Sequence, residues 1–99
     1  MRKVRLSDWQ IDAIKRSAEE AFGEGTKVIL FGSRVYPEKR GGDIDLYIIP
    51  AQRDELFQRE LRFRALLMRS LGERKIDVVI QKEPERPIER VALKEGVEL

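Results

Sequence analysis

Apolar residues recur along this chain with two distinct periods. Early on, Ile11, Ile14, Ala18, Ala21 and Phe22 fall at spacings of three and four, which predicts an amphipathic helix. Ser7 or Asp8 is placed to cap it, Trp9 to anchor its start, and Gly23 and Gly25 to stop it. Val28 to Phe31 is then a short β-branched and apolar run that reads as an interior strand. Ile44 to Ile49 is a second strand, closed by Pro50, and Ile76 to Ile80 is a third. Residues 53–71 read as a long helix with a wide apolar face of Leu56, Phe57, Leu61, Leu67, Met68 and Leu71. Arg59, Glu60, Arg62 and Arg69 lie on its wet side, and Gly72 ends it. Residues 34–42, with Pro37, Gly41, Gly42 and several charges, read as a surface loop. Pro84 and Pro87 break the chain before a last short helix near Ile88 to Lys94. The order α-β-β-α-β-α predicts an α/β fold, a small mixed β-sheet packed with helices. Without repeats, linkers or low-complexity segments, residues 1–99 read as one domain.

The polar interruptions of the strands carry the chemistry. Side chains alternate across a strand, so Asp43 and Asp45 share one face while Ile44, Leu46 and Ile48 take the other. The third strand repeats this arrangement, with Asp77 opposed to Ile76, Val78 and Ile80. Each acid alone has an ordinary reading: Asp43 caps a turn, Asp45 pairs with an arginine, Asp77 faces solvent. Together they interrupt two apolar strands in matching ways, where an unpaired carboxylate is costly to desolvate. Residues two apart on a strand sit roughly 6.5–7 Å apart, from where two carboxylates can hold ions spaced about 3.5–4 Å. If the second and third strands are neighbours, Asp77 joins the first two acids, and their mutual repulsion calls for a cation. Oxygen-only ligands favour Mg²⁺ or Mn²⁺ over zinc. Upstream, Gly32 lets the backbone approach a ligand closely, and successive amides of the Gly32-Ser33-Arg34 turn can form an anion nest.

Composition narrows the possibilities mainly by what is missing. The chain is 41% hydrophobic, enough for a globular core, so wholesale disorder is excluded. With no Cys there is no disulfide framework or thiolate chemistry, and with no His no Ser-His pair, HExxH zinc helix or imidazole catalyst. Catalysis must rest on carboxylates, Lys, Tyr or a bound metal. The P-loop, GxGxxG and EF-hand patterns are absent. Twenty basic residues nearly balance eighteen acidic ones, and the seven aromatics fall mostly at core positions, which argues against nucleic-acid binding. The basic start, Met1-Arg2-Lys3-Val4-Arg5, leads into no signal core, and no run approaches the ~18 apolar residues of a membrane span. The default expectation is a soluble cytoplasmic protein.

Gly32-Ser33, nine intervening residues, Asp43-Ile44-Asp45-Leu46 and a later isolated Asp77 resemble the nucleotidyltransferase superfamily that includes DNA polymerase β. The size, the context Leu30-Phe31-Gly32-Ser33-Arg34 and the tail Ile88-Glu89-Arg90 through Glu95-Gly96-Val97 look like its minimal nucleotidyltransferase branch. The resemblance covers nearly the whole chain and implies the polymerase β-like palm fold. It implies Asp43 and Asp45 as metal ligands that bring Mg²⁺ to a nucleoside triphosphate. Asp77 would be the third carboxylate, binding the catalytic metal and helping to deprotonate the acceptor. Gly32 and Ser33 would hold the β- and γ-phosphates. The implied reaction moves a nucleotide, AMP from ATP, to a hydroxyl with loss of pyrophosphate. Such transfer needs positioning and charge neutralisation more than a covalent nucleophile. Larger relatives add acceptor-binding domains that this chain lacks, so a partner or a second copy of the chain supplies the acceptor. Minimal nucleotidyltransferases often pair, as antitoxins, with a HEPN-domain toxin, and are thought to adenylylate one of its tyrosines. A second functional class stands beside the enzyme: a binding module that neutralises the toxin by occupying its surface.

Overall fold

The computed structural model describes residues 6–32, 43–83 and 86–99. Ser33, the loop expected at 34–42, Pro84 and the basic segment 1–5 lie outside them. Helix α1 (Asp8–Phe22) begins at Ser7, whose amide donates to the Gln10 side chain at 2.9 Å. This capping-box contact serves a backbone donor that no carbonyl of the helix reaches. Ile14, Ala18, Ala21 and Phe22 are buried as the period predicts. Trp9 does not anchor the start; it is 56% exposed. At about 100° per residue it falls on the far side of the helix from Ile14.

Strands β1 (Lys27–Phe31) and β2 (Ile44–Ile49) pair antiparallel, and β3 (Ile76–Ile80) lies parallel to β2. Parallel neighbours require a crossover, and helix α2 (Leu56–Leu71) provides it. Helix α3 (Pro87–Glu95) opens with proline at a position where a missing amide is harmless. It leads into β4 (Val97–Glu98), which pairs antiparallel with β1 and gives the sheet order β3-β2-β1-β4. The sheet is therefore mixed, as expected, but β4 was not anticipated: two residues carry no alternation to read. Gly96 makes the approach possible, since a side chain there would strike the Ala92 carbonyl and Ile29.

Both faces of the sheet are used. Val28, Leu30, Ile44, Leu46, Ile48 and Ile80 pack beneath α1 and α2, with Phe22 and Phe63 in an edge-to-face contact at 5.5 Å. Ile29, Phe31, Tyr47 and Ala92 form a smaller cluster under α3 on the opposite face. Helix α2 departs from its expected pattern. It starts at Leu56 because Glu55 takes a left-handed backbone (φ 52°) that a continuous helix cannot contain. Phe63, Leu67 and Leu71 are buried, whereas Phe57, Leu61 and Met68 are exposed. Arg59 is not on a wet side: its guanidinium ties α2 to the Ala21 carbonyl (3.1 Å) and to Gln52 (2.6 Å). Among the described residues no helix is long and apolar enough to cross a membrane.

Candidate active site

β2 alternates between the two faces of the sheet. Ile44, Leu46 and Ile48 enter the large core, so Asp45 and Tyr47 project to the face shared with α3. The parallel register with β3 matches Ile44 to Ile76, Asp45 to Asp77 and Tyr47 to Val79. Carried back one residue, the same offset sets Asp43 beside Lys75, and the Ile44 amide donates to the Lys75 carbonyl at 3.1 Å. Four charged residues thus make a two-by-two array on one face, Asp43 beside Lys75 and Asp45 beside Asp77.

The two rows differ in their electrostatics. Asp45 and Asp77 are register partners, and two carboxyls side by side call for a shared proton or a cation. The Asp45 carboxyl is pushed above the usual range, first by burial, then by the Asp77 hydrogen bond and the charges of Asp77 and Asp43, with Lys75 opposing. Asp43 instead pairs with Lys75, Oδ2 to Nζ at 3.5 Å. Among the described residues no three acidic side chains are already drawn together around an ion position. The acids therefore share a face without forming a closed cage, and Asp43 is the one turned aside. Three carboxylates against one ammonium leave a net charge of −2, and every donor is oxygen. That set fits a hard divalent cation such as Mg²⁺ or Mn²⁺, and offers zinc none of its preferred sulfur or nitrogen ligands.

Gly32 closes the site from the side of β1. Phe31 lies opposite Asp45 in the antiparallel register, and the next residue, Gly32, turns with φ +78°. A Cβ at Gly32 would overlap Asp45 Oδ2. Both the left-handed backbone and the missing side chain are needed there. Ser33, expected to help grip phosphate, lies outside the described residues.

One buried cluster on this face was not anticipated from the sequence. Tyr47, two residues beyond Asp45, is fully buried and donates its hydroxyl to Glu89 of α3 at 2.7 Å. Glu89 is itself fully buried and also accepts from the Glu83 amide (3.0 Å), the Lys82 amide (3.2 Å) and Arg86 Nε (2.6 Å). Burial pushes the Glu89 carboxyl up, but these donors outweigh it and hold the group down at about 2. Burial and the neighbouring Glu89 carboxylate push the Tyr47 phenol up to about 12. The clasp pins α3 over the half of the face next to the acids. The available signal was Tyr47 itself, a polar-tipped residue in step with Asp43 and Asp45.

The array is suited to gathering cations and phosphate oxygens beside the half-buried Asp45 and its exposed neighbour Asp77. The chain matches the family described as polymerase beta nucleotidyltransferase over residues 4–99. No curated protein matches it.

Proposed function

Because the chain belongs to the polymerase β nucleotidyltransferase family, we propose that it moves AMP from ATP to a hydroxyl of a partner protein. Enzymes of this family generally use a divalent metal and a nucleoside triphosphate. Asp43, Asp45 and Asp77 are the residues that would hold the metal here. When bound, it would neutralise triphosphate charge and stabilise the negative charge that builds during transfer. Asp77, set beside Asp45 by the strand register, takes the proton of the acceptor hydroxyl. The acceptor oxygen forms a bond to the α-phosphorus as the bond from that phosphorus to the bridging oxygen breaks, and pyrophosphate leaves. Gly32 brings backbone against Asp45 where phosphate oxygens arrive, and Ser33 follows it in sequence.

The observation that carries this reading is the register of β2 on β3, which sets Asp77 beside Asp45 on the face where Gly32 approaches. Its test is transfer of labelled AMP from ATP to the candidate partner in the presence of Mg²⁺. The double variant Asp43→Asn, Asp45→Asn is expected to lose transfer by at least about a hundredfold while keeping its circular dichroism and melting behaviour. Retained transfer would remove the proposed roles.

The proposed partner is a HEPN-domain toxin, supported by the resemblance to minimal nucleotidyltransferase antitoxins. Phe57, Leu61 and Met68 support a docking role for α2, because they are 71%, 52% and 62% exposed along one side of the helix. Exposed apolar stripes of this kind mark interaction surfaces. The same stripe keeps the non-catalytic reading in play, in which binding alone neutralises the toxin. Cells carrying the toxin with the double Asp variant separate the two: loss of protection supports transfer, full protection supports binding.

A further inference from the structure

Lys75 faces the acids from the residue just before β3, and its charge is the one that opposes them at Asp45. Its backbone cannot leave this position, since its carbonyl accepts from the Ile44 amide and the next residue enters the paired strand. Its side chain is free to swing, being 70% exposed, and its partner Asp43 is 46% exposed. A pair that open to solvent, with Nζ and Oδ2 3.5 Å apart, is weak and readily exchanged.

We propose that Lys75 is a resident counter-ion: its ammonium holds Asp43 in the ion-free protein and yields that carboxylate to an incoming divalent cation. Lys75 then sets the cation concentration at which the site assembles. The inference rests on the reading of Asp43, Asp45 and Asp77 as the cation's ligands, and adds a residue that competes with it. Two features of the array support it. Asp45 and Asp77 are register partners on β2 and β3, whereas Asp43 is turned to Lys75, so the ammonium competes with a cation for the Asp43 carboxylate. Once the ammonium withdraws, the three carboxylates carry −3, charge enough to hold one divalent ion without it. With that ion bound, the ammonium is repelled from the position it held.

The test measures Mn²⁺ binding without nucleotide, by calorimetry and by the electron paramagnetic resonance signal of free Mn²⁺. Lys75→Gln is expected to bind Mn²⁺ about fivefold tighter than the wild type, the fold-change equivalent to ~1 kcal/mol of removed competition. Lys75→Arg, which keeps the charge, is expected to stay within about twofold of the wild type. In chelator, Lys75→Gln is expected to melt below the wild type, and the gap is expected to close at saturating Mn²⁺. Equal or weaker binding by Lys75→Gln overturns the proposal. Asp45→Asn is the control for the site itself. If it loses Mn²⁺ binding while Lys75→Gln binds like the wild type, only the counter-ion role falls. If the wild type and Asp45→Asn bind alike, the ligand assignment fails and this inference with it.

Discussion

Asp45 is wedged between the Gly32 backbone and the Asp77 carboxyl, and its own carboxyl is held above the ordinary value of 3.8. A raised carboxyl favours the neutral form in the fold. Its contribution to stability is therefore complete below pH 3.8 and is lost as the pH rises through the folded value. Near neutrality, without a cation, the ionised group works against folding. Asp45→Asn is expected to melt about 2–5 °C above the wild type at pH 7 in chelator, with the gain shrinking towards pH 3.5. A wild type that matches the variant at both pH values would show that the array carries no such strain. Asp43, Asp45 and Asp77 could be read from the chain because charge in step with an apolar strand is conspicuous. The partnership of Asp43 with Lys75 could not, since it depends on which strands are neighbours and in what alignment.

Among the elements, α3 depends most on a single buried residue. Glu89 is held at about 2, so its contribution to stability is present above the ordinary 4.5 and disappears as the pH falls towards 2. Tyr47 behaves in the opposite sense: its contribution is present below 10 and is lost as the pH rises through about 12. Glu89→Gln is expected to cost about 2–3 kcal/mol at pH 7 in urea unfolding and to flatten the acid limb between pH 4.5 and 2. Tyr47→Phe, which leaves the carboxylate its other donors, is expected to cost about 1–2 kcal/mol. The strands β1, β2 and β3 were legible because alternation and β-branching agree with their burial. The helices were legible as helices but not in full as faces. Apolar residues on α2 exceed what one side can bury, so spacing alone assigned Phe57, Leu61 and Met68 to the core and passed over Phe63. Glu89, one of several charges in a short amphipathic helix, gave no sign of its donors because they come from β2 and the β3–α3 connection.

At the scale of the whole molecule, the sheet has a packed face, a working face and an edge strand, β3, beside α2. The exposed stripe of α2 stands apart from the acids, so docking and chemistry are separable by substitution. Phe57→Ser, Leu61→Ser and Met68→Ser together are expected to leave the melting temperature within a few degrees of the wild type. They are also expected to abolish co-purification with the proposed HEPN-domain partner. Intact co-purification would move the docking surface elsewhere. The fold class was readable at this scale because strands interleaved with helices in so short a chain indicate a small α/β layer.

The pairing of β2 with β3 does two jobs by one alignment. A slip of a single residue would carry Asp77 from the open side into the oily interior and bring Ile76 or Val78 out in its place. The geometry of the acids is thus inherited from core assembly and not adjusted separately. Misaligned catalysis and a misfolded interior become the same event, and a chain that has reached its native interior has also aimed its carboxylates.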